Sequence, residues 1–355
     1  MTATVRFGLI GCGMIARLHA GAIREIPGAE LGGAFDPVPG RAEAFMNEQG
    51  GKPYPSVEAL LADPAIDAVC ICTPSGTHAE LAVQAAEAGK HVVVEKPMAI
   101  TLEQLWKVKE TCRKTGVKFC CISQLRFTRD YRLIREAVAE GRLGRLVCGD
   151  IYMKYYRDEA YYAGSSWRGT LAMDGGGALM NQGIHGVDLV QSIMGPVKSV
   201  FARSRTLLHK IEAEDTLSAV LEYENGALGV IEATTSTRPG YSRRMEINGT
   251  LGGITLTEDR ITAWDLDASP DLLVNPVESG VRTAGDPTAL AAECHREQLA
   301  DMVAAIRSDR LPLIDAEEGS RAVEIILAIY RSAKTGKPVE LSELRQGFRP
   351  DGCSK

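Results

Sequence analysis

Residues 7–16 read Phe7-Gly8-Leu9-Ile10-Gly11-Cys12-Gly13-Met14-Ile15-Ala16, an apolar run that breaks on two glycines and then turns helical. Strand, tight turn and helix N-terminus in that order make a cradle for a dinucleotide pyrophosphate. Gly11 can take the backbone angles of the turn, and Gly13 has no side chain to keep phosphates off the main chain. The N–H groups that open the helix at Met14 and Ile15 then face the anion. Asp36 stands twenty residues after Ala16, at the end of a second strand predicted over Ala29–Phe35. A carboxylate there accepts hydrogen bonds from ribose hydroxyls and repels a 2′-phosphate, so NAD is favoured over NADP. Arg41 either softens that repulsion or is a solvated residue opening a surface helix.

Working outward, residues 5–122 alternate strand and helix. The spacing predicts strands over Val5–Ile10, Ala29–Phe35, Asp67–Cys72, His91–Glu95 and Val117–Ile122. Helical patterns at Arg41–Gln49, Ser56–Ala62, Thr77–Ala88 and Leu102–Thr115 separate them. The strands are unbroken apolar runs, as expected when helices cover both faces of a parallel sheet. The fold class is therefore α/β plus α+β. A Rossmann domain, doubly wound on a parallel sheet, occupies residues 1–123. An α+β substrate-binding and oligomerisation domain with an open-faced, mostly antiparallel sheet occupies 124–355.

That second domain opens with a helix near Arg129–Glu140. Strands follow at Val147–Tyr156, Val197–Thr206, Thr216–Tyr223, Ala227–Thr237, Arg244–Asn248 and Gly253–Thr257. Asn225-Gly226 carries a tight-hairpin signal. Asp259–Pro287 is polar and reads as irregular, and Ala289–Ser308 and Ala316–Lys334 read as helices packing back on the body. One face of such a sheet must be solvated or paired with another subunit, so a homodimer or homotetramer is expected.

The 355 residues, 45% of them apolar, suffice for about two cores. A net charge of −6 with no basic run points away from nucleic acid. No apolar stretch approaches the ~18 residues of a membrane span. The chain enters its first strand almost at once, which leaves no room for a signal peptide and predicts a cytoplasmic protein. Nine cysteines without a C-x-x-C pair read as core thiols, so no metal site is expected.

Chemistry concentrates at strand ends. Thr73-Pro74-Ser75-Gly76-Thr77-His78 follows the third strand, where ligands bind in this architecture. Its polar groups border a cofactor or cap the next helix, and His78 suits packing better than catalysis. The fourth strand delivers Glu95-Lys96-Pro97 to the sheet edge beside the place for nicotinamide. Lys96 there either deprotonates readily or stays charged and stabilises an alkoxide. A third cluster runs Gly175-Gly176-Gly177-Ala178-Leu179-Met180-Asn181-Gln182-Gly183-Ile184-His185-Gly186-Val187-Asp188. Asn181, His185 and Asp188 share one face of a helix there. The imidazole can take a hydroxyl proton while Asp188 orients it.

These motifs in order, FGLIGCGMIA, VVVEKPMA around Lys96 and GGALMNQGIHGVDL around His185, resemble the Gfo/Idh/MocA family of nicotinamide-dependent oxidoreductases. The resemblance extends to the closing Gly336-Lys337-Pro338-Val339. It implies oxidation of a secondary alcohol on a sugar or cyclitol, with Lys96 and His185 catalytic and Pro97 in the cis form. Glu95 would touch the nicotinamide-side ribose. Asn181 stands where inositol dehydrogenases usually carry Asp, which brings the chain nearer to members acting on pyranosides or nucleotide sugars. A UDP-N-acetyl-aminoglucuronate-type C3 hydroxyl is one such target. Gln124 and Arg126 resemble the family's domain-joining loop near substrate. Tyr162, Trp167 and Arg168 either contact sugar and cofactor or pack between domains. Two other readings are an NAD-dependent glycosidase using transient C3 oxidation and a non-catalytic NAD/sugar sensor.

Overall fold

The structure, a computed structural model, describes residues 4–267 and 292–346. It falls into two compact units, one running to Gln124 and resuming through Ser320, the other running from Leu125 and resuming at Arg321.

The first unit alternates β1 (Val5–Ile10), α1 (Met14–Glu25), β2 (Ala29–Phe35), α2 (Arg41–Gln49), β3 (Lys52–Pro53), α3 (Val57–Ala62), β4 (Ala68–Ile71), α4 (His78–Glu87), β5 (His91–Val94), α5 (Leu102–Thr115) and β6 (Phe119–Cys121). The sheet order β3-β2-β1-β4-β5-β6 is that of a parallel, doubly wound dinucleotide fold. Its register puts one row across the sheet: Phe35 pairs with Ile10, Ile10 with Ile71, Ile71 with Val94 and Val94 with Cys121. The next row is therefore Asp36, Gly11, Cys72, Glu95 and Ile122. Gly11 N–H donates to Phe35 O at 2.8 Å, Cys72 N–H to Ile10 O at 2.8 Å and Glu95 N–H to Ile71 O at 3.1 Å. The carboxyl edge of the sheet is thus level where the sequence motifs emerge.

The second unit carries α6 (Arg129–Ala139), β7 (Leu146–Lys154), α7 (Glu159–Ala163), α8 (Ile184–Met194), β8 (Val197–Arg205), β9 (Thr216–Tyr223), β10 (Leu228–Thr234), β11 (Arg244–Gly249), β12 (Gly252–Thr257) and β13 (Arg260–Asp265). After α9 (Ala292–Arg307) in the first unit, α10 (Ala316–Thr335), β14 (Val339–Glu340) and α11 (Leu341–Gln346) complete the described chain. The sheet order is β13-β12-β11-β7-β10-β9-β8-β14, antiparallel except between β7 and β10. Burial alternates along the strands. Ile151 and Met153 of β7 lie under α8, where Gly186 leaves room for Met153. Phe201, Val220 and Leu228 stand 38%, 53% and 54% exposed on the other face, as an open-faced sheet requires.

Two sequence expectations differ. Helix α9, counted with residues 124–355, belongs to the first unit, because Leu299, Met302 and Val303 close a core with Ala16, Ala20 and Ile23 of α1. Arg260–Asp265, read as the start of an irregular stretch, pairs with β12 as an edge strand whose outward residues are polar. The rest of that stretch beyond Asp267, and the start of the helix expected from Ala289, lie outside the described residues.

Candidate active site

In the first unit the glycine turn is built as its spacing demands. Gly11 has φ +94°, and a Cβ there would lie 2.7 Å from Cys72 O, so both conformation and space require glycine. Gly13 caps α1 without a side-chain bond, and a Cβ on it would meet nothing within 4 Å. The first turn of α1 holds no acidic residue, and Met14 is exposed. Uncapped N–H groups beside open space fit a pyrophosphate. Asp36 is fixed by the glycine turn and by its own loop: Oδ2 accepts from Cys12 N–H at 2.8 Å and Oδ1 from Val38 N–H at 2.9 Å. Arg41, half-exposed, lies 3.5 Å from Oδ1.

Behind this edge, Thr77 donates its hydroxyl to Pro74 O at 2.8 Å and meets the Thr73 hydroxyl at 2.7 Å. It makes no side-chain cap to α4, so of the two roles open to this loop capping is not the one its hydroxyl plays. His78, counted among cofactor contacts, is a correction. It is 1% exposed and its ring nitrogens lie 2.7 Å from Pro97 O and 2.7 Å from Thr73 O. Burial lowers its pKa against the pull of those carbonyls. The ring ties the loop after β4 to the turn after β5 and has no free face for a ligand. That turn carries a cis Lys96–Pro97 bond. Glu95 beside it is 7% exposed and bound through Oε1 to His19 Nε2 at 2.8 Å. Gln124, which ends this unit, keeps its Oε1 buried with no hydrogen-bond partner among the described residues, an acceptor to offer a ligand.

In the second unit the glycine cluster leads into a π-helical segment, Ala178–Gly183, before α8 begins at Ile184. The wider turn displaces Asn181 from the α-helical face expected for it. Asp174, not anticipated from the sequence, takes the Asn181 amide at 2.5 Å on Oδ1 and Gly169 N–H at 2.8 Å on Oδ2. Gln182 donates to Asn181 Oδ1 and to the Tyr161 hydroxyl, each at 2.8 Å, and accepts from Arg157 at 2.7 Å. Both ends of the Asn181 amide are therefore engaged within this network.

Glu214 is the second unanticipated residue. Its carboxylate accepts from Gly177 N–H at 3.0 Å, Leu179 N–H at 2.8 Å and the Tyr330 hydroxyl at 2.9 Å, capping the π segment. Burial raises its pKa against those donors. A Cβ on Gly177 would lie 1.8 Å from Glu214 O, so the glycine cluster is there to let this strand end come close. No local pattern links residue 214 to 177, so the pairing had no signal in the sequence.

Asp188 and Arg126, each expected near substrate, pair with one another. Arg126 Nε donates to Asp188 Oδ2 at 2.8 Å and Nη2 to Oδ1 at 2.5 Å, with both residues buried. The fork takes one lone pair on each oxygen and fixes the carboxylate in place, leaving a second lone pair on each. His185, half-buried, opens α8 two residues into its first turn. Tyr162 reaches Thr235 Oγ1 at 2.9 Å and packs on the His209 ring at 4.7 Å. Arg168 stacks over Tyr161 at 4.3 Å and over Trp167 at 5.7 Å. Tyr162, Arg168, His209 and Lys210 line one cleft of about 250 Å³ in this unit.

Comparison with known proteins agrees with both halves. The profile described as "Oxidoreductase family, NAD-binding Rossmann fold" matches residues 5–122, and that of the "GFO/IDH/MocA C-terminal domain" matches 131–255. The myo-inositol 2-dehydrogenase of Thermotoga maritima is 29% identical over 346 residues, covering 96% of this chain and 99% of its own. The scyllo-inositol 2-dehydrogenase (NAD(+)) of Bacillus subtilis is 27% identical over 360 residues, covering 97% and 98%. The WlbA dehydrogenase from Bordetella pertussis, solved with NADH and UDP-GlcNAcA, superposes with a TM-score of 0.87 at 34% identity, covering 96% and 99%.

Proposed function

The chain belongs to the GFO/IDH/MocA oxidoreductase family, and from that premise we propose a dehydrogenase for the secondary alcohol of a nucleotide sugar, with Lys96 and His185 as its catalytic residues. As a member it is an NAD-dependent oxidoreductase acting on CH–OH groups of the sugar or cyclitol class. Bound NAD supplies two-electron redox chemistry at its nicotinamide ring. The chain supplies the rest. Asp36 offers its remaining lone pairs to the ribose, the α1 N-terminus receives the pyrophosphate, Lys96 hydrogen-bonds to the alcohol oxygen and stabilises its developing negative charge, and His185 takes the proton.

The observation that carries this reading is the level edge of the first sheet. Gly11, Asp36 and Glu95 leave the same row, so Lys96 emerges one residue beyond the row that holds the cofactor turn. A UDP-N-acetyl-aminoglucuronate-type C3 hydroxyl is supported by Asn181 in place of a carboxylate and by likeness to the UDP-GlcNAcA-bound relative. The open face carrying Phe201, Val220 and Leu228 is proposed as the homodimer or homotetramer contact.

The test is NAD reduction across cyclitols, free aldoses, uronates and UDP-sugars, with Lys96→Met and His185→Ala alongside wild type. Turnover should fall at least about 10²-fold in each variant while NAD still binds. Equal turnover in all three proteins removes both residues from the mechanism.

A further inference from the structure

Glu95 sits at the edge of the first sheet with two imidazoles on one of its oxygens. His19 of α1 lies 2.8 Å from Oε1 and His295 of α9 3.9 Å from it, their rings edge-to-face at 5.7 Å. His19 and His295 are 0% and 1% exposed. His19 Nδ1 is buried with no partner among the described residues, so the ring's hydrogen bonding goes to Glu95 alone. Oε2 turns the other way and accepts from Lys96 N–H at 3.3 Å.

The other groups facing this carboxyl are Cys70 of β4, Cys72 just after it, His78 of α4 and Lys96. Burial holds both thiols in the neutral form, so they bring no charge. Burial also pushes the Glu95 carboxyl up. The His19 hydrogen bond and the charges of His19, His295 and Lys96 outweigh it and bring the group to about 2. A buried carboxyl without such neighbours protonates instead.

We propose that His19 and His295 are positioning residues that hold Glu95 as a carboxylate beside Lys96, so that the lysine meets substrate as an ammonium donor and not as an amine base. Of the two roles open to Lys96, the fixed negative charge next to it selects the charged one. This rests on Lys96 being catalytic. The same three side chains could be asked to hold a metal ion. At metal–ligand distances near 2.0–2.2 Å, tetrahedral ligand atoms stand about 3.3 Å apart, whereas 2.8 Å is the length of a charge-assisted hydrogen bond.

The experiment titrates the full-length protein by infrared difference spectroscopy with ¹³C-labelled glutamate, and measures the pH profile of kcat/KM with the best alcohol of the panel. The proteins are wild type, His19→Ala, His295→Ala, His19→Gln and Glu95→Gln. In the alanine variants a protonated-carboxyl band absent from Glu95→Gln should persist to higher pH. In Glu95→Gln, which lacks the charge beside Lys96 at every pH, the alkaline limb of kcat/KM should fall by at least about one pH unit. His19→Gln keeps an N–H donor for Oε1 and should move the carboxyl band back toward wild type, which also covers an alanine variant that fails to fold. Variant profiles that differ from wild type only by a constant factor overturn the proposal, as does a stoichiometric divalent ion in purified protein that is lost with His19. The infrared titration needs no turnover. A shifted band in a protein that oxidises no alcohol supports the charge assignment and defeats the dehydrogenase reading instead.

Discussion

Arg126 and Asp188 form a buried two-point ion pair, Nε to Oδ2 at 2.8 Å and Nη2 to Oδ1 at 2.5 Å, linking the turn before α6 to the middle of α8. Both side chains are under 10% exposed, at 4% and 6%. Desolvation makes such a pair weak as a net contributor but costly to break from one side. Arg126→Ala or Asp188→Ala should each lose about 3–5 kcal/mol of unfolding free energy, and the double variant much less than the sum. Urea unfolding of the four proteins checks it. Additive losses would show that the two side chains act separately.

Glu214 and Tyr330 anchor the segment that presents His185. The Tyr330 hydroxyl donates to Glu214 Oε1 at 2.9 Å and accepts from Met180 N–H at 3.2 Å. Tyr330→Phe removes both bonds, and about 1–3 kcal/mol should go with them. If the π segment also sets the His185 imidazole, kcat falls while KM for NAD stays at its wild-type value, which steady-state kinetics reads directly.

The two glycines of the cofactor turn should separate folding from binding. Gly11→Ala meets Cys72 O at 2.7 Å and sits at φ +94°, so about 1–3 kcal/mol of stability should be lost. Gly13→Val has φ −79° and open space around Cβ, so it should unfold at the same urea concentration as wild type. Its side chain would fill the space a pyrophosphate needs, and NAD affinity by calorimetry should drop at least about tenfold.

Acid stability should report Glu95. Its folded value of about 2 lies below the ordinary 4.5, so the folded state binds fewer protons than the unfolded chain between them. The stabilisation is complete above about pH 4.5 and is lost as pH falls toward 2, for a total on the order of 3 kcal/mol. The stability gap between wild type and Glu95→Gln should therefore narrow steadily below pH 4.5. A gap independent of pH across that window contradicts the depressed value.

Asp36→Ser tests cofactor choice. Removing the carboxylate deletes an acceptor for the ribose hydroxyls and the charge that repels a 2′-phosphate. NAD affinity should fall about tenfold or more and the preference over NADP should narrow. Titration with both nucleotides measures the change.

Elements whose identity is local were legible. β1, α1's glycine entry, β2, α2 and α5 follow from unbroken apolar runs and periodic helices. The same holds for β9, β11 and the hairpin at Asn225-Gly226. β13 was hidden because Arg260–Asp265 is short and opens directly into the stretch rich in Asp, Pro and Gly that follows it. The partners of site residues were hidden for a different reason. Asp174, Glu214 and Tyr330 lie 7, 33 and 149 residues from Asn181, and the last two separations leave no periodicity that could betray them.

The chain's order of residues alone determined that a parallel nucleotide-binding sheet would form, where its glycine turn and Asp36 would stand, and that Lys96 and His185 are the candidates for its chemistry. Those features depend on backbone preference and apolar spacing, which act between neighbours. Tertiary structure decided what each polar side chain does once placed. It paired Asp188 with Arg126, Asn181 with Asp174, His78 with two carbonyls, and Glu95 with His19 and His295. Hydrogen bonds are short-ranged and saturable, so only the folded chain, by bringing distant donors within about 3 Å of an acceptor, determines which groups remain for a ligand.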